Sequence, residues 1–79
     1  MEIVIATDPD RENLIAEVRE GSYSWADVRY DDAKETYVLT LYPPEEGETL
    51  ALDLTQALKG IFAAKEALVK RGYPDLRIT

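Results

Sequence analysis

One stretch limits the fold of this chain more than any other: residues 53–72, "DLTQALKGIFAAKEALVKRG". It is the only long run with a clear helical period and both end signals. Asp53 suits the N-cap, and Gln56 stands three residues on, as in a capping box. Leu54, Leu58, Ile61, Leu68 and Val69, with Phe62 beside them, recur on one face. Lys70 and Arg71 suit the negative end of the helix dipole, Gly72 offers a left-handed stop, and Pro74 blocks continuation. A helix is therefore expected here, with that apolar face turned to the core.

The segments ahead of it alternate with period two, as half-buried strands do. "EIVIAT" (2–7) is rich in β-branched residues. "SYSWADVRYD" (22–31) sets Ala26, Val28 and Tyr30 against Trp25, Asp27 and Arg29. "ETYVLTLYP" (35–43) sets Tyr37, Leu39 and Leu41 against Val38, Thr40 and Tyr42, and "TLALDL" (49–54) alternates Leu50, Leu52 and Leu54. "DDAKE" and "PPEEGE" between them carry turn chemistry. Residues 9–20 allow two readings. As a helix they have Asp8 as cap, Pro9 at the first position and Gly21 as stop; as a strand, "NLIAEVRE" pairs with "WADVRY" across "GSYS". The strand reading is preferred because it completes a meander and leaves no strand without a neighbour. The expected architecture is α+β: one domain over 1–79, an antiparallel meander of four or five strands, and the C-terminal helix packed on one face. "LRIT" (76–79) is a candidate for a further short strand.

Composition narrows the chemistry. With 79 residues and no cysteine, the chain has no disulfide, no thiolate nucleophile and no sulfur-ligated metal. It has no histidine, so the commonest general base and zinc ligand are missing. No apolar run approaches a membrane span, and the first residues carry no leader pattern, so a soluble, unprocessed cytoplasmic protein with no membrane partner is expected. The net charge of −7 argues against nucleic acid as a partner. That charge is uneven. Residues 1–53 hold 4 basic and 14 acidic groups, whereas residues 54–79 hold 5 and 2.

Asp8, Asp10 and Glu12 alternate directly after the first apolar run, in "IATDPDRE" (5–12). This stretch resembles the acidic motif of toprim domains, which follows a strand and binds magnesium for phosphoryl or phosphodiester chemistry. The resemblance implies that Asp8, Asp10 and Glu12 are metal-facing carboxylates, a donor set that magnesium accepts. It covers about a tenth of the chain. It departs from the family pattern at Asn13, where a glycine usually follows, and in the meander, where that fold has a parallel sheet. A calcium loop counted from Asp8 fails at Asn13 in its sixth position and Arg19 in its twelfth. The preferred reading makes "TDPDREN" a turn whose acids bond to nearby backbone, with no metal and no cofactor.

Lys65 falls within the apolar face of the helix, where its stem is expected to pack while the ammonium reaches water or an acid. Gly60, Ala64 and Ala67 share a flank; the alanines are read simply as good helix formers, a close helix–helix contact through the small residues being the alternative. If one helix covers one sheet face, the other face exposes Trp25, Arg29, Val38, Thr40 and Tyr42, aromatic and arginine side chains of the kind found in contact surfaces. The function expected is that of a small acidic, non-enzymatic protein-binding module, with a protein partner or a second copy. An antitoxin- or immunity-type role fits by analogy of fold and charge. The alternative is magnesium-dependent phosphoryl transfer or nuclease-like activity through Asp8, Asp10 and Glu12.

Overall fold

The computed structural model describes residues 1–8 and 13–76. Four strands, β1 (Glu2–Thr7), β2 (Leu14–Glu20), β3 (Tyr23–Asp31) and β4 (Thr36–Leu41), precede one helix, α1 (Leu54–Val69). The strands form an antiparallel meander in the order β1-β2-β3-β4, with α1 packed on it, so the fold is α+β as the periodicities predict. The ambiguous segment is a strand from Leu14 onward. Ala16 and Val18 bury completely, opposite Val28 and Ala26 of β3. Burying that period-two face outweighs the local helix signals of Asp8 and Gly21.

The turns behave as their residues require. Gly21, at φ +62°, leads the two-residue connection from β2 to β3. Between β3 and β4, the Asp31 carboxylate accepts hydrogen bonds from the Ala33 and Lys34 backbone amides. The Asp8 amide donates to the Asn13 carbonyl at 3.0 Å and closes the β1–β2 connection.

Three expectations need correction. "TLALDL" is not a fifth strand: residues 42–53 run irregularly from β4 to α1. Pro43 and Pro44 have no amide to donate to a ladder, and Leu52 packs into the core as a single side chain. The "LRIT" strand falls mostly on residues 77–79, outside the described residues.

The second correction is the face that α1 presents. Its N-cap is as expected, with the Asp53 carboxylate accepting from the Gln56 amide at 2.9 Å, and Gly72 adopts φ +102° beyond its end. Yet the residues that bury are Gly60, Ala64, Lys65 and Leu68. Leu54, Leu58 and Phe62 remain exposed. The helix approaches the sheet through its smallest side chains. A Cβ added at Gly60 would stand 2.9 Å from Val18 Cγ1, closer than such atoms pack. Of the expected face, Leu68 is fully buried and Ile61 packs against the core, while Leu54, Leu58 and Phe62 are rolled to the flank. α1 lies over β1, β2 and β3, chiefly β2, and Leu39 and Leu41 of β4 stay exposed on the same side of the sheet.

The third correction concerns Trp25, expected on the open face. It is 5% exposed and belongs to the core with Ala26 and Val28. Val18 pairs with Ala26 but Arg19 pairs with Ser24, so Trp25 is an extra residue in β3 with no partner on β2. A bulge of this kind breaks strict alternation and re-aims the side chain. The indole sits where Leu41, Pro43, Pro44, Leu50 and Leu52 close around it.

Candidate functional site

The open face of the sheet carries a polar cluster. Register sets Arg29 opposite Val38 and Asp27 opposite Thr40. The Arg29 guanidinium reaches Thr40 Oγ1 at 3.2 Å and the Asp8 carboxylate at 3.4 Å. Tyr42 donates its hydroxyl to Asp27 Oδ2. Asp27 is only 1% exposed, although it lies on the face of the sheet opposite α1. Its Oδ1 faces Arg29 Nε at 3.9 Å, an ion pair too long for a hydrogen bond. The Tyr42 phenol is held above its ordinary ionisation range, first by its hydrogen bond to Asp27 and then by burial. Of the five residues expected together here, Arg29, Val38, Thr40 and Tyr42 do share the face, and Trp25 does not. Two of them bond within the cluster to each other, and Tyr42 to Asp27. These bonds fix the polar surface, while Arg29 Nε and Asp27 Oδ1 are buried without a hydrogen-bond partner among the described residues.

Asp8, the first of the three alternating acids, is a buried end of the β1–β2 connection and pairs with Arg29. Asp10 and Glu12 lie outside the described residues. Among the described residues, no group of three acidic, histidine or cysteine side chains is placed to hold a metal. The antiparallel meander also differs from the parallel sheet that the toprim resemblance implies.

Lys65 is 6% exposed, and its ammonium meets Asp75 at 2.8 Å and Glu66 at 3.4 Å. The hydrogen bond to Asp75 is the main cause that raises its pKa above the ordinary lysine value. A lysine held more firmly protonated is unsuited to act as a base or a nucleophile. Near it the Tyr37 hydroxyl donates to the Pro74 carbonyl at 2.6 Å, and Tyr73 OH accepts from the Leu14 amide at 2.9 Å. These bonds fasten the segment after α1 to the sheet.

The larger exposed feature lies on the helix side. Leu54, Leu58 and Phe62 succeed one another every four residues along one flank of α1. Across from them β4 shows Leu39 and Leu41, and Leu50 stands at the same end as Leu41. Leu54 is 72% and Leu41 61% exposed, and the other four lie between 41 and 46%. Between flank and strand runs a trough with a depression of about 310 Å³, floored by Val28 and Ile61 and walled by Tyr37 and Leu39. A second depression, of about 350 Å³, opens over Trp25 and Leu41. β4 is moreover an outer strand of the sheet. Sequence reasoning put these leucines in the core. The signal that could have moved them out was the combined width of the apolar stripe and the small-residue flank, more than one face of so small a sheet can cover.

Compared with family models, with curated proteins and with solved structures, the chain matches none. No helix among the described residues is long and apolar enough to cross a membrane.

Proposed function

We propose that this protein is a non-enzymatic protein-binding module whose contact surface is the apolar trough between α1 and β4. The observation that supports it is the run of Leu39, Leu41, Leu50, Leu54, Leu58 and Phe62 on one side of the molecule. Single exposed leucines are ordinary, but the six together expose roughly 500 Å² of apolar surface, in the range of patches that mark interaction sites. The rest of the molecule favours binding over catalysis. Lys65 is tied to two acids, and Arg29 and Tyr42 are each hydrogen-bonded within the polar face.

The test is a paired capture with the full chain and a Leu54→Glu/Phe62→Glu variant, both shown to keep their helix content by circular dichroism. Both side chains are largely outside the core, so the variant should fold. A stoichiometric contact made by the wild type, to itself or to another protein, and lost in the variant is the expected result. Contacts unchanged by the variant would place the binding surface elsewhere.

A further inference from the structure

We infer that the occupant of the trough is a second copy of this chain, docked about a twofold axis that passes close to Leu58. The inference rests on the trough being a contact surface, as proposed above. Three features carry it.

The first is the geometry of the stripe. Leu54, Leu58 and Phe62 are evenly spaced, with Leu58 in the middle. An antiparallel pair of α1 helices centred on Leu58 sets Leu54 of one copy against Phe62 of the other, and Leu58 against itself. This is the self-complementary pattern that an isologous dimer requires. Each flank then also covers the other copy's exposed Leu39 and Leu41.

The second is area. One trough of roughly 500 Å² doubles to about 1,000 Å² in a twofold pair, the lower limit for a specific interface. A small ligand would leave most of it wet.

The third is charge. The chain as a whole is at −7, which opposes self-association, yet the charge is segregated along the direction the pair would use. Lys70 and Arg71 stand at the C-terminal end of α1, about 18 Å along the axis from Leu58 at 1.5 Å per residue. At the other end stand Asp53 and the acidic turn with Glu45, Glu46 and Glu48, which borders Leu50. Antiparallel pairing brings the basic end of each copy toward the acidic end of the other. It also opposes the two helix dipoles favourably. A parallel arrangement would place like charges together.

Sedimentation equilibrium on the full chain, from about 1 µM to 1 mM, reads the self-association directly. A monomer–dimer equilibrium in that range is expected, together with a monomeric Leu54→Glu/Phe62→Glu variant of unchanged helix content. Lys70→Glu/Arg71→Glu should weaken the dimer about tenfold or more, by placing acidic residues against the acidic turn of the other copy. Because the chain has no cysteine, Leu58→Cys is a unique reporter: it should oxidise to a covalent dimer, and Ala63→Cys, on another face of α1, should not. A wild type that stays monomeric at 1 mM overturns the inference. If it does so while the Leu54→Glu/Phe62→Glu variant loses a different protein, the trough stands as a contact surface and only the second copy is rejected. A dimer that survives that variant, or that forms no bond at position 58, rejects the twofold helix packing.

Discussion

Gly60 of α1 and Val18 of β2 stand so close that a methyl group on the glycine would lie 2.9 Å from Val18 Cγ1. Val18 is fully buried and branched at Cβ, so it has little freedom to move aside. In an exposed helix, replacing glycine by alanine gains about 1 kcal/mol. Here Gly60→Ala should instead destabilise, by about 1–2 kcal/mol net, because overpacking exceeds the propensity gain. In a Val18→Ala background the same change should become neutral or stabilising. Urea unfolding of the four proteins of this double-mutant cycle measures the coupling directly. Additive effects would mean that the helix does not touch β2 at this point.

Trp25 is core, so its fluorescence should be blue-shifted and poorly quenched by acrylamide in dilute protein. Trp25→Ala should cost about 3–5 kcal/mol, as for other large core truncations. A red-shifted, readily quenched emission would contradict the bulge that turns the indole inward.

The flank and the buried face of α1 should respond differently to truncation. Leu68 is fully buried, and Leu68→Ala should cost about 2–5 kcal/mol. Leu58 is nearly half exposed, and in the monomer Leu58→Ala should cost about 1 kcal/mol or less. Thermal unfolding of dilute samples separates the two. Equal losses would mean that the leucine stripe packs inward.

Asp27 and Tyr42 supply a test in pH. Tyr42 has its folded-state pKa raised above the ordinary 10.0, mainly by its hydrogen bond to the Asp27 carboxylate. A group raised in this way adds stability that is fully present below its unfolded value and is lost as pH rises through the folded one. Wild-type stability should therefore fall above about pH 10. In Tyr42→Phe that alkaline loss should be smaller, on a starting stability reduced by about 1–2 kcal/mol, since a buried carboxylate loses a donor. Absorbance of the phenolate near 295 nm follows the ionisation. A variant with the wild-type alkaline profile would show that the bond contributes nothing.

Lys65 and Asp75 give an ordering of variants. Lys65→Met keeps an apolar stem in a nearly closed site, so it should melt near the wild type. Asp75→Asn leaves the ammonium buried while its closest acid loses its charge, so it should melt lower. The reverse order would mean that the ion pair is worth more to the fold than the packing of the stem.

Much of the fold was legible in the residues themselves. Asp53 and Gly72 bracket α1, and the period-two runs at 2–7, 23–31 and 36–41 are strands, because caps and alternation are local properties of the chain. The polar partners on the open face followed from the same alternation: once Arg29 and Thr40 point the same way, register brings them together. Three matters were decided only by packing. Residues 14–20 are a strand since Ala16 and Val18 find Val28 and Ala26 across the ladder, a burial that no local propensity contains. One added residue at Trp25 inverts its side chain, and a bulge is set by what the two strands on either side of it must accommodate. The face of α1 was the furthest from reach. Helical period says which residues lie together, not which of two adjoining stripes meets the sheet. Gly60 and Ala64 let the helix come closer than leucines would, so the helix turns until they, with Leu68, face the sheet, and Leu54, Leu58 and Phe62 are left on the surface.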